Sequence, residues 1–426
     1  MFSNLNSRIY KILLLFGISN LAFSQQKISL DDCLEQAQKH SPQAAQFDLI
    51  RQANDLQIKV LNGNYLPQSS IGGQATWQSA VTTLPIKLPN ITITPPPKDQ
   101  YKATLDITQN IWDGGMTAKQ KAVVSSNSKV EEQKIQTDLY QIKDQISNLY
   151  FGALFAERQI ANAQILQKDL QAKLNKIKAS VENGVAIRSN ILTIEARIIE
   201  LEQQISDAQK RRQSAMESLA LLTGLSLSND TKLSEVNLQS TDNQSINRPE
   251  LLLFDTQKQV LAANEQLVKA KNAPKISAFA TGGYGRPALN FLATDFDTYF
   301  IGGVQLKVPL SHFYTKSQSS EIQQLKINQQ RIEKQKENFV LATQVRLANQ
   351  RTEISRLQSS LESDKKLIGI REQIKKTADA QLDNGIITAS DYLTEVNNED
   401  LARQNLLLHE VQLMQAIQNL KVIAGN

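Results

Sequence analysis

Between Ser189 and Leu222 the apolar residues Ile191, Ile194, Ile198, Leu201, Ile205 and Ala208 are spaced three, four, three, four and three apart. That spacing is a coiled-coil seam, narrower than the face a globular helix buries. The helix predicted there, 189–223, is the return arm of a hairpin. Its outgoing arm, 115–182, has no proline from Met116 to Glu182 and one glycine, Gly152. An uninterrupted helix of roughly 65 residues is about 100 Å long at ~1.5 Å per residue, far more than a compact domain buries. The arms meet at Asn183-Gly184, a pair suited to the left-handed residue that ends a helix.

The pattern then repeats. Asp383-Asn384-Gly385-Ile386 echoes Glu182-Asn183-Gly184-Val185, with Gly385 201 positions after Gly184 and Gly425 the same 201 after Gly224. Earlier in each copy, Pro42, Phe47, Asp48 and Pro67 return 207 positions later as Pro249, Phe254, Asp255 and Pro274. Offsets this constant mark an internal duplication. Repeat 1 covers 25–224, with a helix at 30–62, strands at 68–80 and 100–111, the long helix 115–182 and the helix 189–223. A polar linker, 225–247, separates the copies. Repeat 2 covers 248–426, with a helix at 249–272, strands at 275–285 and 298–309, a long helix 315–382 and a helix 390–423.

The strands rest on a change of period. Ile71, Gly73, Ala75 and Trp77 alternate with Ser70, Gly72, Gln74 and Thr76, while Tyr101, Ala103, Leu105 and Ile107 alternate with Lys102, Thr104, Asp106 and Thr108. Weak strands of about ten residues with one apolar face are what a membrane barrel offers, and Trp77, Tyr101 and Trp112 stand where interfacial aromatics would. The alternative is a hairpin that caps soluble rods. If the strands enter lipid, four of them cannot close a lumen and an open edge is forbidden, so several chains must share one barrel.

Composition adds a compartment. The 426 residues are 21% charged and 41% hydrophobic, with only 6% aromatics. The net charge of +5 is small, and opposite charges are interspersed, so no nucleic-acid partner is expected. Arg8 and Lys11 precede the apolar run Ile12–Ile18, and Ala22-Phe23-Ser24 has the small-x-small form of a cleavage site. Residues 1–24 therefore read as a secretory signal peptide. The one cysteine, Cys33, is expected to be a packed helix residue.

Several segments together resemble the TolC family of outer-membrane efflux proteins. They are Leu30-Asp31-Asp32-Cys33-Leu34-Glu35-Gln36-Ala37, Ser41-Pro42, Leu66-Pro67, Asn110-Ile111-Trp112-Asp113-Gly114-Gly115, Val308-Pro309-Leu310 and the two Asn-Gly turns. The resemblance implies a mixed α/β membrane protein in the cell outer membrane. Three chains would share a 12-stranded β-barrel, four strands from each, continued by a long periplasmic coiled-coil tunnel. It implies an exit duct for small molecules such as drugs or toxic compounds, working with a periplasmic adaptor and an inner-membrane pump, without catalysis or cofactor. The adaptor would dock at the tips, Gly184, Val185, Ile187, Gly385, Ile386 and Ile387. The family narrows its periplasmic end just after the second tip, often with two aspartates three residues apart; here Asp391 fills the first position and Thr394 the second. The family's basic residue near the second turn and its acidic partner fall on Ile387 and Asn190, both neutral.

Asp391, Glu395 and Glu399 share one helix face at i, i+4 and i+8, either as a lumen-lining column or as a solvated surface. His40, His312 and His409 have no ligand spacing, so no metal is expected. No nucleophile elbow or phosphate loop occurs. The rival to a duct is a periplasmic or surface coiled-coil scaffold with no transport role.

Overall fold

The computed structural model describes residues 27–83, 95–236 and 245–425, apart from the side chains of Ser311 and His312. The signal peptide expected at 1–24 and part of the 225–247 linker lie outside them. A short strand β1 (Lys27–Ile28) leads into α1 (Leu30–His40) and α2 (Gln46–Asn62). Ser29 opens α1 with a reciprocal cap: its hydroxyl accepts the Asp32 N–H, and the Asp32 carboxylate accepts the Ser29 N–H, both at 3.1 Å. The helix expected over 30–62, with an early interruption at Pro42, is two helices. Pro42 keeps the residue before it out of helical space, and Ser41 sits at ψ 128°.

Strands β2 (Gln68–Trp77) and β3 (Asp99–Trp112) precede α3 (Met116–Glu182) and α4 (Arg188–Thr223). A short β4 (Lys232–Leu233) pairs in parallel with β1. The second repeat supplies α5 (Pro249–Lys271), β5 (Lys275–Arg286), β6 (Asp297–Lys307), one-turn α6 (Ser311–Tyr314), α7 (Ser317–Asp383) and α8 (Ala389–Ala424). The duplication is preserved in length at the hairpins: both long helices have 67 residues and both return helices 36. β2 stops at Trp77, short of 80, and β6 at Lys307, two residues before Pro309 removes a ladder donor.

The chain forms two compact units. One gathers the described parts of Met1–Ala44, Leu139–Asn247 and Thr343–Asn426, and the other Ala45–Asp138 and Arg248–Ala342. The second unit holds a four-stranded antiparallel sheet in the order β2-β3-β5-β6, so the strand pairs of the two repeats join through β3 and β5. Among the described residues, the outer edges of β2 and β6 have no strand partner.

In the first unit Tyr150 is fully buried, its hydroxyl 2.9 and 2.7 Å from the carbonyl oxygens of Ile28 and Ser234, which ties the β1–β4 pair to α3. Cys33 is sealed in the same core, and burial, helped by the Asp32 charge, pushes its thiol up to about 11. An inert thiol is the result. The predicted seam is buried from Ile194 to Ala208. Ile194, Ile198 and Leu201 pack with Leu166, Leu170, Leu174 and Ile177 of α3. No described helix is long and apolar enough to cross a membrane, which leaves the sheet as the surface to test for lipid contact.

Candidate functional site

Both hairpin turns have the same backbone. Gly184 and Gly385 have φ +72° and +71°, where a side chain is strained. The Val185 N–H donates to the Ser180 carbonyl at 2.8 Å and the Gly184 N–H to Val181 at 3.0 Å; the Ile386 and Gly385 amides do the same to Gln381 and Leu382 at 2.9 and 3.0 Å. These paired bonds satisfy the last carbonyls of the long helices and leave the residue after each glycine projecting. Val185 is 73%, Ile187 64% and Ile386 70% exposed. Ile387, expected to be exposed with them, is partly buried against the core under the second tip. It stands immediately before the helix cap, where an apolar residue staples back onto the first turn.

The return helices start differently. Thr388 caps α8: its hydroxyl accepts the Asp391 N–H at 3.2 Å, and Asp391 accepts the Thr388 N–H at 3.0 Å and hydroxyl at 2.7 Å. The hydroxyl bond, then the backbone bond, holds the Asp391 carboxyl below its ordinary range. At α4 the equivalent residue is Ile187, which caps nothing. Asn190 of the first tip instead reaches across, its side-chain oxygen accepting the Ala389 N–H at 3.3 Å. The neutral Asn190 thus links the tips through a helix N-terminus rather than through a charge.

The carboxylate column divides. Asp391 is exposed and, among the described residues, makes no ion pair. Thr394 is exposed, its hydroxyl donating to the Ser390 carbonyl at 3.0 Å. Glu395 is half-buried, 3.4 Å from Arg371 of α7. Glu399 is only 3% exposed, held by Lys375 at 2.9 Å and by Arg403. Burial would raise its carboxyl, but hydrogen bonds from both cations win and lower it. Glu399 is therefore not a solvated surface charge; Lys375 of α7 and Arg403 of α8 pair with it. Next to it, buried Asp400 accepts from Asn162 at 3.0 Å and Gln404 at 2.8 Å and lies 3.4 Å from Arg197. Burial prevails there, and its carboxyl is raised.

A clamp that the sequence does not announce lies beneath the tips. Lys173 of α3, 6% exposed, sits 2.6 Å from Asp379 and 2.7 Å from Asp383, both on α7. Its ammonium is 5.2 Å from the Tyr392 ring centre. Lys176 adds a 2.6 Å contact to Asp383. Burial would raise Asp383, but bonds from Lys173 and Lys176 outweigh it and lower the carboxyl. The signal is present as two lysines three apart on one arm and two aspartates four apart on the other, each pair on one helix face. Only the fold shows that the faces meet.

The sheet has two unlike faces. Register places Ile71, Leu105, Gly282 and Phe300 in one row. Their face carries Trp77, Tyr101, Ile107, Tyr284, Val304 and Leu306, all exposed. The opposite row holds Ser70, Asp106, Thr281 and Ile301. There Asp106 accepts the hydroxyls of Thr104 at 2.8 Å and Thr281 at 2.6 Å. A bulge between Asn110 and Trp112 turns Trp112 onto the apolar row, opposite Ile276. Aromatics therefore mark both ends of the apolar face, with Trp77, Tyr101 and Tyr284 at one and Trp112, with exposed Phe313 and Tyr314 beyond it, at the other. Tyr101 and Trp112 are about 30–35 Å apart along the strand at ~3.3 Å per residue, about 25 Å in height for a strand tilted as barrel strands are. Among the described residues no His, Cys, Asp and Glu group is arranged to hold a metal. His409 instead approaches Asp364 at 2.6 Å.

Residues 33–225 match the family model described as outer membrane efflux protein. No curated protein matches the chain. Solved structures with the same fold include CusC, from work on its folding and transmembrane channel formation, at TM-score 0.67 and 16% identity over 93% of this chain and 92% of that one. The outer membrane protein VceC from Vibrio cholerae aligns at TM-score 0.66 and 16% identity, covering 93% of this chain and 96% of its own. The open MtrE outer membrane channel of Neisseria gonorrhoeae aligns at 0.64 and 15%, covering 93% and 89%.

Proposed function

Taking this chain as a TolC-like outer membrane efflux protein, we propose that three copies close a 12-stranded barrel and form the exit duct of a tripartite pump for small molecules such as drugs or toxic compounds. The observation that carries the reading is the sheet: four strands, unpaired at β2 and β6 among the described residues, with an apolar face banded by aromatics and, behind it, a face that mixes Ser70, Asp106 and Thr281 with Phe279, Tyr299 and Ile301. A soluble cap has no use for ten exposed apolar side chains on one face, and lipid tolerates no open edge. Joining β6 of one chain to β2 of the next satisfies both edges. The face bearing Asp106 then lines the lumen.

The helical tips are the periplasmic end. An adaptor docks on Val185, Ile187 and Ile386, set out by the turns at Gly184 and Gly385, with Ile387 supporting the second tip from beneath. Asp391 supplies the charged ring of the gate, Thr394 leaves the next ring neutral, and Glu395 stands behind them. Glu399 positions α8 on α7. The clamp of Lys173 and Lys176 on Asp379 and Asp383 holds the second hairpin to the first and keeps the tip narrow. The inner-membrane pump selects the cargo. The test is single-channel recording of the detergent-purified protein in a planar bilayer. Discrete steps, larger in Asp391→Ala, are expected. Protein that fractionates as a soluble periplasmic species and conducts nothing would return the chain to a scaffold.

A further inference from the structure

Lys275 opens β5 and Lys307 closes β6, and the register pairs them directly. Both lie on the Asp106 row's side of the sheet, since Lys275 is six residues from Thr281 and Lys307 six from Ile301, and side chains alternate strictly in this pair of strands. Like charges directly opposite destabilise a sheet. Among the described residues neither ammonium meets a carboxylate: Lys275 contacts the Met116 sulfur at 3.4 Å, and Lys307 is exposed. The carboxylate nearest in register, Asp113, is buried and occupied by the Tyr65 hydroxyl at 2.8 Å and the Gly115 and Thr117 amides at 3.0 and 2.7 Å. Asp106, the next charge on this face, is about 20 Å along the strands, beyond a ~8 Å screening length. At the far end, Lys102 shares a level with Asp297 through Gly285, and its ammonium lies 5.3 Å from the Tyr299 ring centre. The foot of the sheet is therefore the one level where positive charge stands uncompensated among the described residues.

We propose that Lys275 and Lys307 form a belt that draws anionic groups through the foot of the barrel lumen, six ammonium groups in the closed ring. This rests on the barrel reading above. A phosphate, carboxylate or sulfonate on a passing molecule is the chemistry the belt recognises, through the lysines' multiple N–H donors and their charge.

The experiment is the reversal potential of single channels under a potassium chloride gradient. It is made on the otherwise native protein and on Lys173→Ala, so that a narrow tip cannot mask the belt. Lys275→Gln with Lys307→Gln should lower the anion-to-cation permeability ratio roughly two- to fourfold in the opened background. Arginine at both positions should keep the ratio, and Asp106→Asn should raise it. The glutamine protein should also melt higher, because a repulsive pair has gone, which separates loss of charge from loss of fold. Normal channels with an unchanged ratio in both backgrounds would overturn the belt. Channels absent from every protein, native included, would overturn the barrel reading itself and the belt with it.

Discussion

The two tips share a turn and differ at the start of the helix beyond it. Each long helix ends through a left-handed glycine with the same two backbone bonds, and each presents an apolar residue to solvent. Past the turn, the second tip caps its own helix: Thr388 and Asp391 satisfy one another at the start of α8. The first tip carries Ile187 at the cap and commits its own polar residue, Asn190, to the second tip's Ala389. Duplication supplied two equal hairpins. Divergence left one with a helix cap and the other as its fastener. The asymmetry places the exposed Asp391 carboxylate on the tip that is capped and the cross-link on the tip that is not.

The comparison breaks most readily at the clamp. Lys173→Ala removes a buried ammonium, but Asp379 is 46% exposed and Asp383 keeps Lys176, so the loss is that of charged hydrogen bonds, about 1.5–3 kcal/mol. Urea unfolding of the purified protein should show that loss together with larger conductance; a change no bigger than a surface substitution would sink the clamp. Asn190→Ala comes next. It strips the acceptor from the N–H of Ala389, a residue that is fully buried, at about 1–3 kcal/mol. Its mark is faster hydrogen exchange at the second tip, not the first. Smaller still is the cap: Thr388→Ala should cost about 1 kcal/mol, while Ile187→Ala, with no cap to lose, should change little. Equal effects would erase the distinction between the tips.

Acid sharpens the contrast by sign. The lowered Asp391 carboxyl contributes stability above the ordinary carboxylate range and loses it as pH falls through its folded value. Asp400 is raised, so its contribution is present at low pH and disappears as pH climbs through its folded value. Melting profiles between about pH 3 and 6 should flatten on the acid side in Asp391→Asn and on the upper side in Asp400→Asn.

The hairpins, their turns and the alternation of the strands are legible in the sequence because each depends on residues close in the chain. Period reveals a seam such as Ile194 to Ala208, and Asn-Gly reveals a turn. Glu399 is not legible, because Lys375 reaches it from another helix, and an i, i+4, i+8 column says nothing of what faces it. The clamp is invisible for the same reason: Lys173 and Asp383 are 210 residues apart. Trp112 reaches the apolar face through a bulge, which strict alternation does not foresee. Pro42 marks an interruption in any reading, but the five residues it costs the helix depend on the backbone of Ser41.

The unpaired edges of β2 and β6 carry a kinetic consequence. A chain that ends its sheet with open donors and acceptors on both sides has no stable way to enter lipid alone. In the three-chain barrel proposed above, insertion would wait for collision with two siblings, so its half-time would lengthen on dilution and shorten with synthesis rate. Before that meeting, each single chain would carry two adhesive borders, the outer edges of β2 and β6 among the described residues.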